Sequence, residues 1–372
     1  MDKAGISRIL VIKLRNIGDV LLCAPLFDNL KAAFPGAKIS ALVNAGTEAM
    51  LEGHPAVHQV IVYNRNIKKN SFLKRLREEA AFYRRLRAER FDMVLNLTEG
   101  DRGAIVSLVS GARVRAGVDP MSQGMVGKRL IYTELVPRPG AEYHAVEKNL
   151  QALSALGLTA EKRAVSFYFS PADGENVARR LAAVSLPEKG FFHAHVTSRW
   201  MFKALPPSKV AFLIDEISRL SGLPSVLTCA PEVKELSYLA GLLPLLSTPH
   251  HDLSGALSLK ELGALSAAAR FFVGVDSAPM HMAAALDVPV LGIFGPTSVP
   301  EWGPWDNSMG RNPYHAPNGV QRASRHTVLQ AERACVPCRR DGCNGSKVSD
   351  CLNFSDAELR ETARSFLSTV PA

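Results

Sequence analysis

The stretch Val11–Leu30 reads VIKLRNIGDVLLCAPLFDNL and joins an apolar strand to an amphipathic helix through a short polar turn. The run Ile9–Ile12 predicts a buried strand, and Leu22, Leu26 and Leu30 recur at helical spacing. A buried strand that passes directly into a helix is typical of α/β proteins with a parallel sheet.

The turn itself differs from a dinucleotide-binding loop. It holds one glycine, Gly18, where the G-x-G-x-x-G pattern needs three, and it carries the ionisable Asp19 where a phosphate-binding loop avoids negative charge. A carboxylate at the start of a helix is favoured in its ionised form. Asp19 is therefore predicted to be a general base or simply a helix cap.

Strands alternate with helices in both halves of the chain, which at 372 residues is long enough for two domains. In the first half the predicted strands are 9–14, 39–43, 60–63, 93–97 and 130–132, followed by a helix at about 142–156 and a strand-like AVSFYFS. The pattern restarts in GFFHAHVTS, PSVLTCA, RFFVGVD and VPVLGIFG. We expect two doubly wound, Rossmann-like domains facing a cleft, at 1–180 and 181–350, and a C-terminal helix at 351–372 that packs back on the first domain.

Composition narrows the class of protein. Hydrophobic residues make up 47% of the chain and charged residues 21%, as in globular proteins. No apolar run reaches the ~18 residues of a spanning helix, and Lys13 and Arg15 interrupt the only apolar stretch near the N-terminus. We therefore expect a cytoplasmic protein.

Most of the net charge of +9 lies between Arg65 and Arg90, where ten Lys or Arg accompany three Glu. Leu73, Leu76 and Leu86 recur there at helical spacing, which predicts an amphipathic helix with a basic outer face. Such a face is either solvated or contacts an anionic membrane or a phosphorylated substrate. No aromatic-interleaved recognition motif supports binding of nucleic acid.

Two motifs of the second half follow predicted strands, where doubly wound sheets bind ligands. Hydroxyl groups, backbone N–H groups and a lysine there are able to hold a diphosphate without a metal, although Ser and Thr are also common helix caps. The residues concerned are Thr197, Ser198 and Lys203 in VTSRWMFKALP, and Asp276, Ser277, Ala278 and His281 in VGVDSAPMHMAAAL.

Four of the six cysteines, Cys335, Cys338, Cys343 and Cys351, follow the spacing C-x2-C-x4-C-x7-C. In a cytosolic protein this spacing favours zinc or an iron–sulfur cluster over disulfides. Reduced thiols that pack a turn are the other interpretation.

As a set, the motifs KLRNIGDVLL, VTSRWMFKALP and VGVDSAPMHMAAALDVPVLGIFGPT resemble those of glycosyltransferase family 9, the heptosyltransferases of the lipopolysaccharide inner core. The segments NLTEGDRGA and DGCNGSKVSDCL are most similar to the heptosyltransferase III branch. The resemblance implies a GT-B fold, with an acceptor-binding first domain and a donor-binding second domain. It also implies inverting transfer from ADP-L-glycero-D-manno-heptose to the inner core, as the third heptose on heptose II.

The resemblance also assigns roles to residues. Asp19 matches the family's proposed general base. Lys203, Thr197 and Ser198 match the group that binds the donor diphosphate, Asp276, Ser277, Ala278 and His281 match the second donor motif, and Glu232 falls where the family contacts the nucleoside. Arg15, Lys68 and Lys69 are predicted to contact the lipopolysaccharide acceptor.

The chain lacks a D-x-D metal motif, so we expect no cofactor in catalysis and leave a structural zinc at the cysteines open. The expected partners are the ADP-heptose donor, the glycolipid acceptor and, peripherally, the inner membrane. The alternatives are heptosyltransferase I or II, a nucleotide-sugar 2-epimerase of the same architecture, and a non-catalytic binder of anionic glycolipid.

Overall fold

The computed structural model describes residues 5–69, 71–121, 123–140 and 142–371, except the side chains of residues 68 and 69. The chain forms two compact units, Met1–Tyr168 and Phe169–Ala372. The sequence placed this boundary near residue 180, but the helix at Pro171–Ala182 contacts the helix at Leu259–Ala268 and so belongs to the second unit.

The first unit is built on a six-stranded sheet in the order β3-β2-β1-β4-β5-β6, with every pair of neighbours parallel. This order is that of a doubly wound Rossmann-like sheet, as predicted. The buried residues of β1 and β4 lie at its centre because both faces of an all-parallel sheet are covered by helices. The strands are β1 Arg8–Lys13, β2 Lys38–Asn44, β3 Gln59–Tyr63, β4 Met93–Asn96, β5 Val114–Val118 and β6 Glu134–Val136.

Within the residues that the structure describes, six helices accompany this sheet. Most begin just after a strand, which places their N-termini at the carboxyl edge of the sheet, as in other doubly wound folds. They are α1 Ile17–Leu21, α2 Ala24–Ala33, α3 Phe72–Ala88, α4 Asp101–Ser110, α5 Lys128–Ile131 and α6 Ala145–Leu150, and 3-10 turns lie at Glu48–Met50, Arg65–Lys69 and Gln151–Leu156.

The second unit is also α/β, with a seven-stranded sheet in the order β12-β13-β11-β10-β7-β8-β9. All pairs are parallel except β12 with β13. The strands are β7 Phe192–His195, β8 Ser225–Leu227, β9 His250–Asp252, β10 Phe272–Val275, β11 Val290–Phe294, β12 Gln321–Arg322 and β13 His326–Gln330.

The helices of the second unit are α7 Pro171–Ala182, α8 Pro207–Ser221, α9 Val233–Leu242, α10 Leu259–Ala268, α11 Ala278–Ala285, α12 Val299–Trp302 and α13 Asp356–Leu367. The capping box predicted for the last of these is present, because Ser355 N donates to Glu358 at 2.7 Å and Glu358 N donates to Ser355 Oγ at 3.2 Å. The apolar face of α13, which includes Phe366, is buried against α8 in the core of the second unit. The sequence predicted that this helix packs on the first domain, but its apolar face packs within the second unit instead.

Two predicted strands are wrong. Leu130 and Ile131 belong to the one-turn helix α5, whose Ile131 packs with Tyr132 on Ala104 while Leu130 is exposed. The AVSFYFS segment, Ala164–Ser170, pairs with no strand in the part of the chain that the structure describes, although Val165 and Phe167 are buried. Among the described helices, none is both long and apolar enough to cross a membrane.

Candidate functional site

In the first unit, the strand order reverses between β1 and β4. The carboxyl ends of the strands beside such a reversal are where doubly wound sheets bind ligands. The turn that contains Asp19 follows β1 at this position, and Leu14 N donates to Thr98 Oγ1, just beyond β4, at 2.9 Å. The fold therefore places the predicted base where a ligand would bind.

Asp19 is mostly buried and has only long contacts. It is the third residue of α1, and Asn16 caps this helix. The Asp19 carboxylate accepts hydrogen bonds from Asn16 N and Asn16 Nδ2 and pairs with Arg15 Nε, all at 3.4 Å. The geometry is compatible with both predicted roles of Asp19. The carboxylate completes the capping box of α1, as a helix cap would, and its long hydrogen bonds leave its oxygen atoms able to act as a general base.

Lys13 lies behind Asp19 and was not identified from the sequence. Its side chain is buried at the end of β1, and Nζ donates to Asn149 Oδ1 at 2.8 Å. Burial lowers the pKa of Lys13, and the negative charge of Asp19 opposes this shift.

Of the three predicted acceptor residues, the structure brings Arg15 to Asp19. The Arg15 side chain is about half exposed, so its guanidinium is open to an anionic ligand. Lys68 and Lys69 end the 3-10 turn after β3, and their side chains lie outside the described part of the structure.

The strand order of the second sheet reverses between β7 and β10, which are neighbours. Thr197 and Ser198 follow β7, and Asp276 and Ser277 follow β10. The two motifs of the second half are therefore adjacent at the carboxyl edge, as predicted from their positions after strands.

Lys203 and Asp276 form a close ion pair, with Nζ 2.5 Å from Oδ2. Lys203 lies in a 3-10 turn, Met201–Lys203, and both side chains are largely shielded from solvent. The structure thus joins the lysine of one motif to the aspartate of the other. An anionic ligand that contacts Lys203 here must compete with Asp276.

Thr197 contacts a carboxylate that the sequence did not single out. Its hydroxyl donates to Glu235 Oε2 at 2.6 Å, and Ala230 N donates to the same oxygen at 3.3 Å. Glu235 is buried on α9, whereas Glu232, the predicted nucleoside contact, is the exposed N-cap residue of that helix. The nucleoside role of Glu232 stays a prediction.

The remaining residues of the two motifs surround the ion pair. Ser198 is buried, and its Oγ accepts a hydrogen bond from Trp200 N at 3.3 Å. Ser277 is the N-cap residue of α11, and in the described part of the chain its buried Oγ has no hydrogen-bond partner. Ala278 begins this helix, and His281 is buried one turn further on.

A buried histidine pair lies on β7. Thr228 Oγ1 is 2.7 Å from His193 Nε2 and 2.8 Å from His195 Nδ1, and Ser266 Oγ is 2.9 Å from His193 Nδ1. Burial lowers the pKa of His195 to about 4, and the pKa of His193 is also well below its usual value because of burial. Both rings are therefore neutral at physiological pH.

The four clustered cysteines differ in their exposure to solvent. Cys335 is exposed, Cys338 and Cys343 are partly exposed, and Cys351 is buried. In the part of the chain that the structure describes, no three His, Cys, Asp or Glu side chains are arranged to hold a metal ion. Burial, and then the nearby Cys343 and Cys338, raise the pKa of the Cys351 thiol to about 11.

A basic groove of about 620 Å³ lies at the opposite, amino-terminal edge of the first sheet. Its lining includes Arg84, Arg87 and Arg90 near the end of α3, and Arg113 just before β5. The groove is therefore separate from the carboxyl edge, where Asp19 lies.

Comparison with known proteins identifies the family of this chain. The family model for glycosyltransferase family 9 (heptosyltransferase) matches residues 79–331 of this chain. The chain belongs to glycosyltransferase family 9. The matched range includes the motifs VTSRWMFKALP and VGVDSAPMHMAAAL of the second unit, whereas Asp19 precedes it.

Individual relatives span most of the family 9 chain. Lipopolysaccharide heptosyltransferase 3 of Escherichia coli is 31% identical over 78% of this chain and 84% of its own length. Lipopolysaccharide heptosyltransferase 1 of Pseudomonas aeruginosa is 28% identical over 90% of this chain and 87% of its own length.

Solved structures show the same fold. A family 9 glycosyltransferase from Veillonella parvula superposes with a TM-score of 0.79 at 20% identity, covering 98% of both chains. The ADP-heptose lipopolysaccharide heptosyltransferase II of E. coli superposes with a TM-score of 0.70 at 20% identity, covering 97% of this chain and 98% of that one. The GT-B architecture expected from the sequence is thus confirmed.

Proposed function

We propose that this family 9 enzyme transfers a heptose from ADP-L-glycero-D-manno-heptose to the lipopolysaccharide inner core, as the third heptose, onto heptose II. The observation that carries this proposal is the 31% identity to lipopolysaccharide heptosyltransferase 3 over 84% of that protein. A further relative of that name, from E. coli K12, is 30% identical over 85% of this chain.

In this proposal the first unit supplies the base. The Asp19 carboxylate takes the proton of the acceptor hydroxyl while the oxygen of that hydroxyl bonds to the anomeric carbon of the donor. The bond from that carbon to the ADP oxygen breaks at the same time, so ADP leaves with the electron pair and the configuration inverts. The long 3.4 Å contacts of Asp19 support this role, because a carboxylate oxygen held in short hydrogen bonds is a weaker base.

The second unit binds the donor in this proposal. Lys203 leaves Asp276 and contacts the diphosphate, where its charge offsets the negative charge that develops on the departing ADP. The backbone N–H groups at the start of α11 and the Ser277 hydroxyl complete this anion site. Asp276 and Glu232 accept hydrogen bonds from sugar hydroxyls. No metal takes part in the step.

We place the enzyme in the cytoplasm, with peripheral contact to the inner membrane through which it reaches a glycolipid acceptor. The charge of the Arg65–Arg90 segment supports this placement, since it suits the anionic surface of a bilayer.

The experiment is a transfer assay with ADP-heptose and lipopolysaccharide cores truncated at successive inner-core sugars, following acceptor mass. We expect a gain of one heptose on a core that already carries two. A gain of one heptose only on a shorter core would mean that the enzyme is a heptosyltransferase of type I or II and not of type III. Failure to modify any core, with ADP still bound, contradicts the proposal.

A further inference from the structure

The first two turns of α3 expose three apolar side chains, of which the sequence assigned Leu73 and Leu76 to the apolar face of the helix. Phe72 is 75% exposed, Leu73 67% and Leu76 58%. The helix enters the core of the first unit only further along, at Phe82 and Leu86. The helical periodicity was therefore correct, but the described part of the chain leaves the apolar side chains of the first two turns uncovered.

A second exposed apolar group lies between β5 and β6. Val126 is 99% exposed, Leu130 86% and Met121 70%. This segment follows the carboxyl end of β5, and α3 follows that of β3, two strands of the same parallel sheet. Both apolar groups therefore lie along the carboxyl edge of the sheet, the edge at which Asp19 follows β1.

Two ion pairs connect the exposed groups through the start of α4. Arg102 on α4 contacts Glu79 on α3 at 3.0 Å, and the neighbouring Asp101 contacts Lys128 on α5 at 3.1 Å. The Arg102 guanidinium also lies 4.4 Å from the centre of the Tyr63 ring. The two apolar groups are thus held on one rigid part of the first unit.

The charge on the first two turns of α3 has one sign. Lys74, Arg75 and Arg77 are exposed on the same two turns of α3, and the range Phe72–Arg77 contains no acidic residue. Apolar side chains interleaved with cations are typical of helices that lie in a bilayer interface. A two-fold pairing of this surface with a second copy would bring like charges together, which disfavours self-association as the explanation.

We propose that Phe72–Arg77, together with Met121, Val126 and Leu130, forms a membrane-docking surface. The apolar side chains enter the interface of an anionic bilayer, and the cations contact the lipid phosphates. This inference rests on the proposed function, since it assigns the contact with the membrane of the glycolipid acceptor to particular side chains. It places the Asp19 edge of the first unit toward the lipid.

The test measures co-sedimentation of the full chain with acceptor-free vesicles, one set containing phosphatidylglycerol and one set phosphatidylcholine alone. The variant Phe72→Ser/Leu73→Ser/Leu76→Ser should fold normally because all three side chains are exposed. We expect its partition onto the anionic vesicles to fall about tenfold or more, since three apolar side chains no longer enter the interface. The matched control, Leu108→Ser/Leu245→Ser/Val348→Ser, removes three exposed apolar side chains elsewhere and should bind as the wild type does.

A second pair of variants separates local docking from general basic charge. Lys74→Gln/Arg75→Gln/Arg77→Gln should weaken binding and its dependence on salt, because these cations face the lipid. Arg84→Gln/Arg87→Gln/Arg90→Gln removes the same charge from the other end of α3 and should have a smaller effect. Equal effects of the two triple variants would overturn the proposal.

Three further results would also contradict the docking surface. The triple serine variant could bind the anionic vesicles as well as the wild type does, or the wild type could bind both vesicle types equally. In the third, the triple serine variant would lose a dimer and keep its vesicle binding. Transfer to a deacylated, water-soluble core should be unchanged in the serine variant. Because vesicle binding is measured without donor or acceptor, it stands independently of whether any core accepts heptose.

Discussion

The carboxyl edges of the two sheets carry charged groups in two different states. At the first edge, Asp19 has contacts no shorter than 3.4 Å, and the Arg15 that approaches it is half exposed. At the second, Lys203 contacts Asp276 at 2.5 Å and Thr197 contacts Glu235 at 2.6 Å. The first edge holds a carboxylate free to accept a proton, whereas the second holds groups that an anionic ligand must rearrange.

This difference follows from what each edge has to do. A general base works when its oxygen atoms are available to the proton it removes. A site for a diphosphate needs a cation, and without the ligand that buried cation is satisfied by a neighbouring carboxylate.

The largest effect on ADP binding is expected at the ion pair of the second unit. Lys203→Ala should lower the affinity for ADP by about 10- to 100-fold, because a hydrogen bond to a charged group contributes about 1.5–3 kcal/mol. Isothermal titration calorimetry measures this change. Lys209→Ala is the matched control, since Lys209 pairs with Asp356 at 2.8 Å on a different face of the same unit and should leave ADP binding unchanged. Unchanged ADP affinity in Lys203→Ala would remove this residue from the donor site.

A smaller effect is expected behind Asp19. Lys13→Met removes the buried cation, so the acid limb of the pH–rate profile should move upward by about one pH unit. Asn149→Ala removes the hydrogen bond to Lys13 Nζ but keeps the charge, and its profile should stay in place. If Asn149→Ala reproduces the shift, Lys13 acts through packing and not through its charge.

The sequence was sufficient for the residues that follow strands. Thr197 and Asp276 each follow a short apolar run directly, and Asp19 lies at the start of the helix after one, so their position at the edge of a sheet depends on local pattern alone. Lys13 and Glu235 were missed because their roles depend on partners far along the chain, such as Asn149, 136 residues from Lys13. The closest local signal for Lys13 was a lysine inside an otherwise buried strand.

The strands β5 and β9 were not predicted because neither contains an unbroken apolar run. The strand β5 reads VRAGV, and its Gly117 leaves space for the Tyr132 ring, which would lie 2.3 Å from a Cβ atom at that position. The run 130–132 was predicted to be a strand, but Leu130 and Ile131 belong to a helical turn. Ile131 and Tyr132 pack on Ala104, and Leu130 is exposed. The three-residue β9, with the sequence HHD, has no apolar residue at all.

The smallest effect concerns the pH dependence of stability. Burial lowers the pKa of His195 from 6.5 to about 4, and that of His326 likewise. Between these pH values the unfolded chain binds more protons than the folded chain, so the free energy of unfolding falls as the pH drops from 6.5 to 4. The slope is about 1.4 kcal/mol per pH unit for each fully shifted histidine. Urea unfolding of the wild type and of His195→Gln across this range should give a shallower slope in the variant; equal slopes would contradict the assignment.

The central claim is that the first unit supplies the base and the second binds the donor. Asp19→Asn tests it most directly, because the amide keeps the shape of the side chain and removes its ability to take a proton. Heptose transfer is followed by acceptor mass and ADP binding by calorimetry on the same preparation. The account predicts that transfer falls by about 10²- to 10⁴-fold while ADP affinity is unchanged. Transfer at the wild-type rate, or a parallel loss of ADP affinity, would contradict it.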